Sequence, residues 1–321
     1  MIISRTPLRV SFFGGGTDID YYFKKKGGKV ISAAINKYVY VIIKPHHKVF
    51  GKKYRVSYSK TENVDNLSHI QNNIVKECLK FTKIKSPLYI GTFADIPDRS
   101  GLGSSSSFTV GLLNALYYYM GKKVSKKQLA EDAYYIETKL LKNPIGKQDQ
   151  YAASYGGFNS IEFKKNDQVK VKKIPKHKKI INLFKSILLV WTGLRRDNKN
   201  ILLSQKLNIN NNVKSLDEIK FYVGEFEKCL RKKEINLEKV GKLLNKSWNA
   251  KMLLSKKIMN LSLKNFSKKL KKEHIHGSKL LGAGGGGFFL CIVKNLKPFP
   301  ENYLTIKIKV DQYGSKIFKI K

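Results

Sequence analysis

Cysteine, acids and arginine are all scarce in this chain and no long apolar run occurs. Each shortage excludes a class of protein. Cys78, Cys229 and Cys291 are the whole cysteine complement of the 321 residues. Odd in number and scattered, they compose neither a disulfide framework nor a zinc pattern, and a reducing cytoplasm suits them. No stretch approaches the roughly 18 apolar residues of a membrane-spanning helix, so no membrane is expected as a partner. The opening MIISRTPLRVSFFGGG lacks the apolar core and cleavage site of a secretory signal. Asp and Glu number 23 against 63 Lys and Arg, a formal charge of +40. Arginine, the usual bidentate reader of base edges, supplies only 7 of those 63, and the lysines run from Lys24 to Lys321 without clustering. No recognition-helix or RNA-binding motif accompanies them. The charge therefore reads as compositional bias, and no nucleic-acid partner is expected, although the positive field favours anionic substrates.

Two familiar phosphate motifs are also missing. No glycine loop ends in the Lys-Ser or Lys-Thr of a P-loop. Gly282-x-Gly284-x-x-Gly287 fits G-x-G-x-x-G by its letters, but it follows a helix pattern and precedes a strand pattern, the reverse of the dinucleotide-binding order. His274-x-His276 has no companion ligands and reads as a loop.

What is present is a globular composition, 42% hydrophobic, with strand and helix patterns along its whole length. Strands are expected over the opening IISRTPLRVSFF, 29–44, 53–59, 87–93, FNSIEF, SILLVWTG, FFLCIV, TIKIKV and IFKI. Helices are expected over 69–82, 104–120, 126–141, YAASY, 215–232, 234–246 and 248–274. The lysine-rich segment 164–180 is the best boundary between domains, or an exposed hairpin.

The most informative segment is IPDRSGLGSSSSFTVGLLNAL, a glycine–serine loop opening onto an apolar helix. Unpaired N–H groups and the dipole at a helix start attract anions. Gly101 and Gly103 let backbone approach a ligand, and Ser104, Ser105 and Ser106 add hydroxyls for capping, phosphate or metal. An ordinary helix cap has the same local pattern. Glu137 shares a helix face with Ala133, Ile136 and Leu140, where an acid must be paired, bound to metal or partly exposed. Asp149 stands in NPIGKQDQ, a helix cap or a loop acid if read alone.

Taken together, RTPLRVSFFGGGTD, PDRSGLGSSSS, GKQDQ and KLLGAGGGGF resemble, in order, the substrate motif, ATP loop, catalytic-aspartate segment and C-terminal glycine motif of the GHMP superfamily of small-molecule kinases. The matches span residues 5 to 289. RTPLRVSFFGGGTD, QDQYAASYGGFN, LLVWTGLRR and KLLGAGGGGFF are most similar to the bacterial D-glycero-D-manno-heptose 7-phosphate kinases. Gly15 and Gly16 stand where galactokinase-like members carry glutamate and histidine, which argues against galactose.

The resemblance implies an α+β, two-lobed fold of mixed sheets packed with helices, with ATP and substrate in the interlobe cleft. Lobes 1–170, with the ATP loop, and 171–321, with the third glycine motif, are the expected domains. ATP would contact Pro97, Ser100, Gly101, Leu102, Gly103, Ser104, Ser105 and Ser106, with Ser105 and Glu137 on Mg²⁺. Asp149 would orient or deprotonate the acceptor hydroxyl beside Arg9, whose charge can stabilise the transferring phosphoryl. Gly14, Gly15, Gly16, Thr17 and Asp18 would meet the sugar, Asp18 through its hydroxyls. Arg196, then Arg195, then Lys251 would meet its 7-phosphate. Gly284 and Gly285 would close backbone against phosphates and substrate. The implied reaction is phosphorylation of the anomeric hydroxyl of a sugar phosphate by a monomer or homodimer. A kinase for a free sugar such as fucose, or for another sugar phosphate, is the alternative.

Overall fold

Two long antiparallel strands organise the first half of the chain. The computed structural model describes residues 1–195, 198–207, 209–294 and 299–320. β1 (Ile2–Phe13) runs against β2 (Gly28–Pro45), with α1 (Asp20–Lys26) between them. The eighteen residues of β2 serve two further partners. Its first part pairs with β6 (Phe158–Phe163) and its last part with β5 (Leu88–Ala94). β3 (Tyr54–Ser57) adds in parallel to β5, and β4 (Thr61–Val64) closes that edge. β7 (Val169–Lys173) forms a hairpin with β6, and β12 (Lys316–Lys319) returns from the far end of the chain to pair with β1. Among the described residues these strands make an eight-stranded mixed sheet. A second, antiparallel sheet of four has the order β11 (Thr305–Lys307), β8 (Ile187–Trp191), β10 (Phe288–Val293), β9 (Ile275–Leu280).

α2 (Asn73–Thr82), α3 (Ser104–Tyr119), α4 (Lys126–Tyr135) and α5 (Gln148–Tyr155) gather on the first sheet, with α3 in the middle against β1 and β2. α6 (Lys178–Lys185), α7 (Asn198–Leu207), α8 (Ile209–Arg231), α9 (Leu237–Met252) and α10 (Leu261–Leu270) follow, and α9 packs on β9. One apolar cluster joins the sheets: Phe12 of β1 lies 5.2 Å from Phe158 and 5.7 Å from Phe184, ring to ring. Full burial of each such aromatic contributes about 1.5–3 kcal/mol. Cys78, Cys229 and Cys291 are buried free thiols. No helix among the described residues is long and apolar enough to cross a membrane.

The elements depart from their expected limits in instructive places. The helix over 126–141 becomes a π turn, Ile136–Leu140, in which Leu141 N–H donates to Ile136 C=O five residues back. Such turns occur often at functional sites, and this one carries Glu137. The break expected after residue 246 does not occur, because no glycine or proline interrupts α9 there and Trp248 is buried. The chain breaks instead at 253–260, where the Asn260 side chain accepts Leu263 N–H and starts α10. The segment 164–180 carries the β6–β7 hairpin and the first turn of α6. α1, β4, α6 and α7 were not anticipated; the first three are short, and short elements are set by tertiary contacts more than by pattern.

Candidate active site

The serine helix begins where the sequence placed it. Gly103 is the cap of α3 and Gly101 precedes it, both with positive φ (77° and 95°) that a side chain would strain. Ser104, Ser105 and Ser106 form the first turn, whose N–H groups have no intrahelical acceptor. This loop is braced from the second sheet: Phe288 N–H donates to Ser100 C=O at 3.1 Å, and a Cβ on Gly287 would stand 2.2 Å from that oxygen. The third glycine run therefore touches the loop directly.

Beside the helix start lies an acid–base cluster. β1 shifts register between Pro7 and Arg9 and again between Ser11 and Phe13. Irregularities of this kind redirect side chains. Arg9 donates through Nε to Asp149 Oδ1 and through Nη2 to Asp149 Oδ2, both at 2.7 Å, and through Nη1 to Gly101 C=O at 2.6 Å. Arg9 is buried, while the Asp149 side chain keeps 22% of its exposure, so its carboxylate still opens toward a ligand. A Cβ on Gly103 would sit 3.2 Å from Asp149 Oδ2, which puts the acid against the backbone of the glycine–serine loop. Glu137 is buried behind them, accepting from Ser105 Oγ at 3.0 Å and Gln150 Nε2 at 2.6 Å. Burial pushes its pKa up to about 7; bonds from Gln150, Ser106 and Ser105 resist the rise, and the Asp149 charge adds to it.

A cleft of about 660 Å³ runs past this cluster. Its apolar end is lined by Val39, Ile74, Phe93, Ile96 and Phe108. Phe93 is 54% exposed and stacks on Tyr40 at 4.8 Å. The polar end holds Asp18, which accepts from Gly16 N–H at 2.9 Å and Gln148 N–H at 3.1 Å. Burial raises the Asp18 carboxyl pKa, the two N–H bonds oppose that, and Asp149 adds to it. Ser11, Gln148, Lys251 and Lys279 line the same end.

The chain matches the model of the GHMP kinases N terminal domain over residues 73–157. It is 31% identical over 317 residues to the D-glycero-alpha-D-manno-heptose 7-phosphate kinase of Campylobacter jejuni, covering 93% of this chain and 91% of that one. This chain belongs to the GHMP kinase family. A galactokinase of Pyrococcus furiosus is 26% identical, with 91% of this chain and 89% of that protein covered. A crystal structure titled as a D-glycero-D-manno-heptose 1-phosphate kinase from Bacteroides thetaiotaomicron superposes with a TM-score of 0.79 at 23% identity, each chain covered in full. The two-lobed fold is therefore that of the GHMP kinases, and the chain is a sugar kinase of that family.

Within this GHMP kinase the structure brings together Arg9, Asp149, Ser105, Glu137, Gly16 and Asp18, separated by up to 140 residues. Several expected contacts lie elsewhere. Pro97 is exposed and does not line the cleft, and Ser100, Gly101 and Leu102 are buried beneath the loop. Gly14 and Thr17 shape the turn: Thr17 Oγ1 donates to Gly14 C=O, and a Cβ on Gly14 would strike Lys29 C=O. Gly284 and Gly285 face Ile258, to whose carbonyl Gly285 N–H donates, and it is Gly282 and Ala283 that reach the cleft. Arg195 is exposed, 3.9 Å from Asp98, and does not line the cleft. Arg196 lies outside the described residues.

Sequence reasoning missed Gln148, Gln150, Ser11 and Lys279. Lys279 begins the motif KLLGAGGGGF, and its burial in β9 is the signal that only the structure supplies.

Proposed function

We propose that this chain transfers the γ-phosphoryl of ATP to the anomeric hydroxyl of D-glycero-D-manno-heptose 7-phosphate, giving the 1,7-bisphosphate, in a reducing cytoplasm. The single observation that carries the reading is the two-pronged Arg9–Asp149 pair against the Gly103 backbone. It sets a proton acceptor and a fixed cation next to the phosphate-binding helix start. The name of the Campylobacter jejuni relative supports the choice of acceptor.

In this mechanism the base occupies the apolar end of the cleft and the phosphates lie over Gly103 to Ser106. Asp149 orients the acceptor hydroxyl and takes its proton, while Arg9 keeps Asp149 aimed and faces the charge that develops on the transferring group. Asp18 holds sugar hydroxyls. Positioning and charge neutralisation account for most of phosphoryl transfer, so this short inventory suffices.

Ser105 and Glu137 fit a hard divalent cation, since both offer oxygen and Glu137 is a buried carboxylate whose only partners are hydrogen-bond donors. Among the described residues no group of three or more His, Cys, Asp or Glu gathers to hold a metal, so Ser105 and Glu137 are the residues that would hold Mg²⁺ here. When bound, Mg²⁺ supplies neutralisation of the phosphate charge. The two lobes would divide near residue 170, although β7 and the C-terminal β12 join the first sheet, and the rest of 171–321 would supply the bracing glycine run.

The test is purified protein with Mg-ATP and a panel of heptose 7-phosphate, unphosphorylated heptose and fucose, read by ADP release. Turnover confined to an unphosphorylated sugar overturns the acceptor assignment.

A further inference from the structure

The polar end of the cleft holds cationic charge beyond what the proposed chemistry uses. Arg9 is already matched by Asp149. Lys279 is only 3% exposed, and its Nζ donates to Phe12 C=O at 2.8 Å. Among the described residues no carboxylate pairs with it. An ammonium buried on a carbonyl alone is a costly arrangement unless a counter-charge arrives. Burial, then the charges of Lys251 and Arg9, press the Lys279 pKa well below its ordinary value. Lys251, 9% exposed, comes in from α9 and donates to Gly282 C=O at 2.5 Å.

Two further atoms at this end lack partners: Ser11 Oγ and Gln148 Oε1 are buried without a hydrogen bond. Between these groups stands Gly15. A Cβ there would lie 3.1 Å from Ser11 Oγ, 3.4 Å from Gln148 Nε2 and 3.9 Å from Lys251 Nζ. A side chain at position 15 would thus fill the space that these three polar atoms face.

We infer that this end of the cleft, bounded by Ser11, Gly15, Gln148, Lys251 and Lys279, is the subsite for a phosphomonoester carried by the acceptor, with Lys279 as its buried charge partner. The inference rests on reading the chain as a sugar kinase, and not on which sugar it takes. The chemistry favours a tetrahedral dianion over a sugar hydroxyl. Two ammonium groups and the Ser11 hydroxyl are donors at this end, whereas hydroxyl recognition is served by the Asp18 carboxylate, to which Gln148 Nε2 donates at 3.5 Å. Lys251 and Lys279 thereby take the role expected of Arg195, which does not line the cleft.

The experiment compares kcat/KM for a phosphorylated acceptor with that for the same sugar lacking the phosphate, in wild type, Lys279→Met and Ser11→Ala. Truncating one partner of a buried charge pair lowers the phosphorylated-to-unphosphorylated ratio by at least about 30-fold in Lys279→Met. Loss of one hydrogen bond to a charged group lowers it by about tenfold in Ser11→Ala. KM for ATP stays near wild type in both. Inorganic phosphate competes with the acceptor in wild type and loses that competition in the variants. If Lys279→Met fails to fold, Ser11→Ala carries the same reading. A wild-type enzyme that prefers a different sugar phosphate leaves the inference standing and removes heptose 7-phosphate. Variants that fold and keep the wild-type ratio overturn the inference, as does a wild type indifferent to the acceptor's phosphate.

Discussion

Replacing Glu137 with glutamine should make the metal-free protein more stable at alkaline pH while removing its kinase activity. Glu137 is 1% exposed, and its pKa stands at about 7 against an ordinary 4.5. At about 1.4 kcal/mol per pKa unit, a buried charge displaced this far costs the folded state about 3 kcal/mol once ionised. The sign follows from proton binding. The folded protein holds the Glu137 proton to higher pH than the unfolded chain does, so stability falls as pH rises from about 4.5 to about 7. Below that window both states are protonated and the penalty is absent; above it the penalty is complete. Glutamine keeps the shape and the bonds. Its carbonyl can accept from Gln150 Nε2, and its amide can donate to Ser105 Oγ, a hydroxyl able to reverse its role. Urea denaturation in EDTA at pH 5 and pH 8 reads the effect. The difference between variant and wild type should grow with pH by up to about 3 kcal/mol, because other titrating groups, Asp18 among them, cancel in the comparison. Activity with Mg-ATP should be lost, since an amide cannot neutralise a divalent cation. An equal stability difference at both pH values, or a variant weaker than wild type at pH 8, would refute the reasoning.

Other perturbations separate the remaining roles. Asp149→Asn should lower kcat by at least about 10²-fold, the smaller end of the range for losing a general base, with little change in KM for ATP; steady-state ADP release measures both, and near-normal kcat removes Asp149 from the mechanism. Gly103→Ala should cost about 1–3 kcal/mol of backbone strain at φ 77° and weaken ATP, because its Cβ meets Asp149 and Arg9 at 3.2 and 3.3 Å; calorimetric titration with a non-hydrolysable ATP analogue shows whether it does. Arg195→Ala should leave KM for the phosphorylated acceptor unchanged, since among the described residues Arg195 pairs with Asp98 in an exposed contact; a steep rise in that KM would bring the arginine back to the substrate.

The glycine–serine loop, the buried acid and the candidate base are each written in a short stretch of chain, but they were legible as a set only through the resemblance that their motifs carry in order. Gly101 and Gly103 encode positive φ, and the serines encode a helix start. Even the π turn holding Glu137 lies inside a predicted helix. The sugar end was harder to read. Thr17 and Gly14 belong to a motif that resembles a substrate loop, yet they bond each other and hold the turn, while Gly16 and Asp18 line the cleft.

Sequence alone therefore determined the helix start and the order of the motifs, since these depend on backbone preferences within some ten or twenty residues, and the fold class followed from the family resemblance those motifs carry. Tertiary structure decided which side chains meet. Arg9 reaches Asp149 across 140 residues because the register of β1 shifts beside α3. Lys279 of β9 reaches Phe12 of β1 across 267 residues, from one sheet to the other. Neither separation leaves a periodic trace in the sequence; each follows from sheet order and helix packing, which many local patterns share.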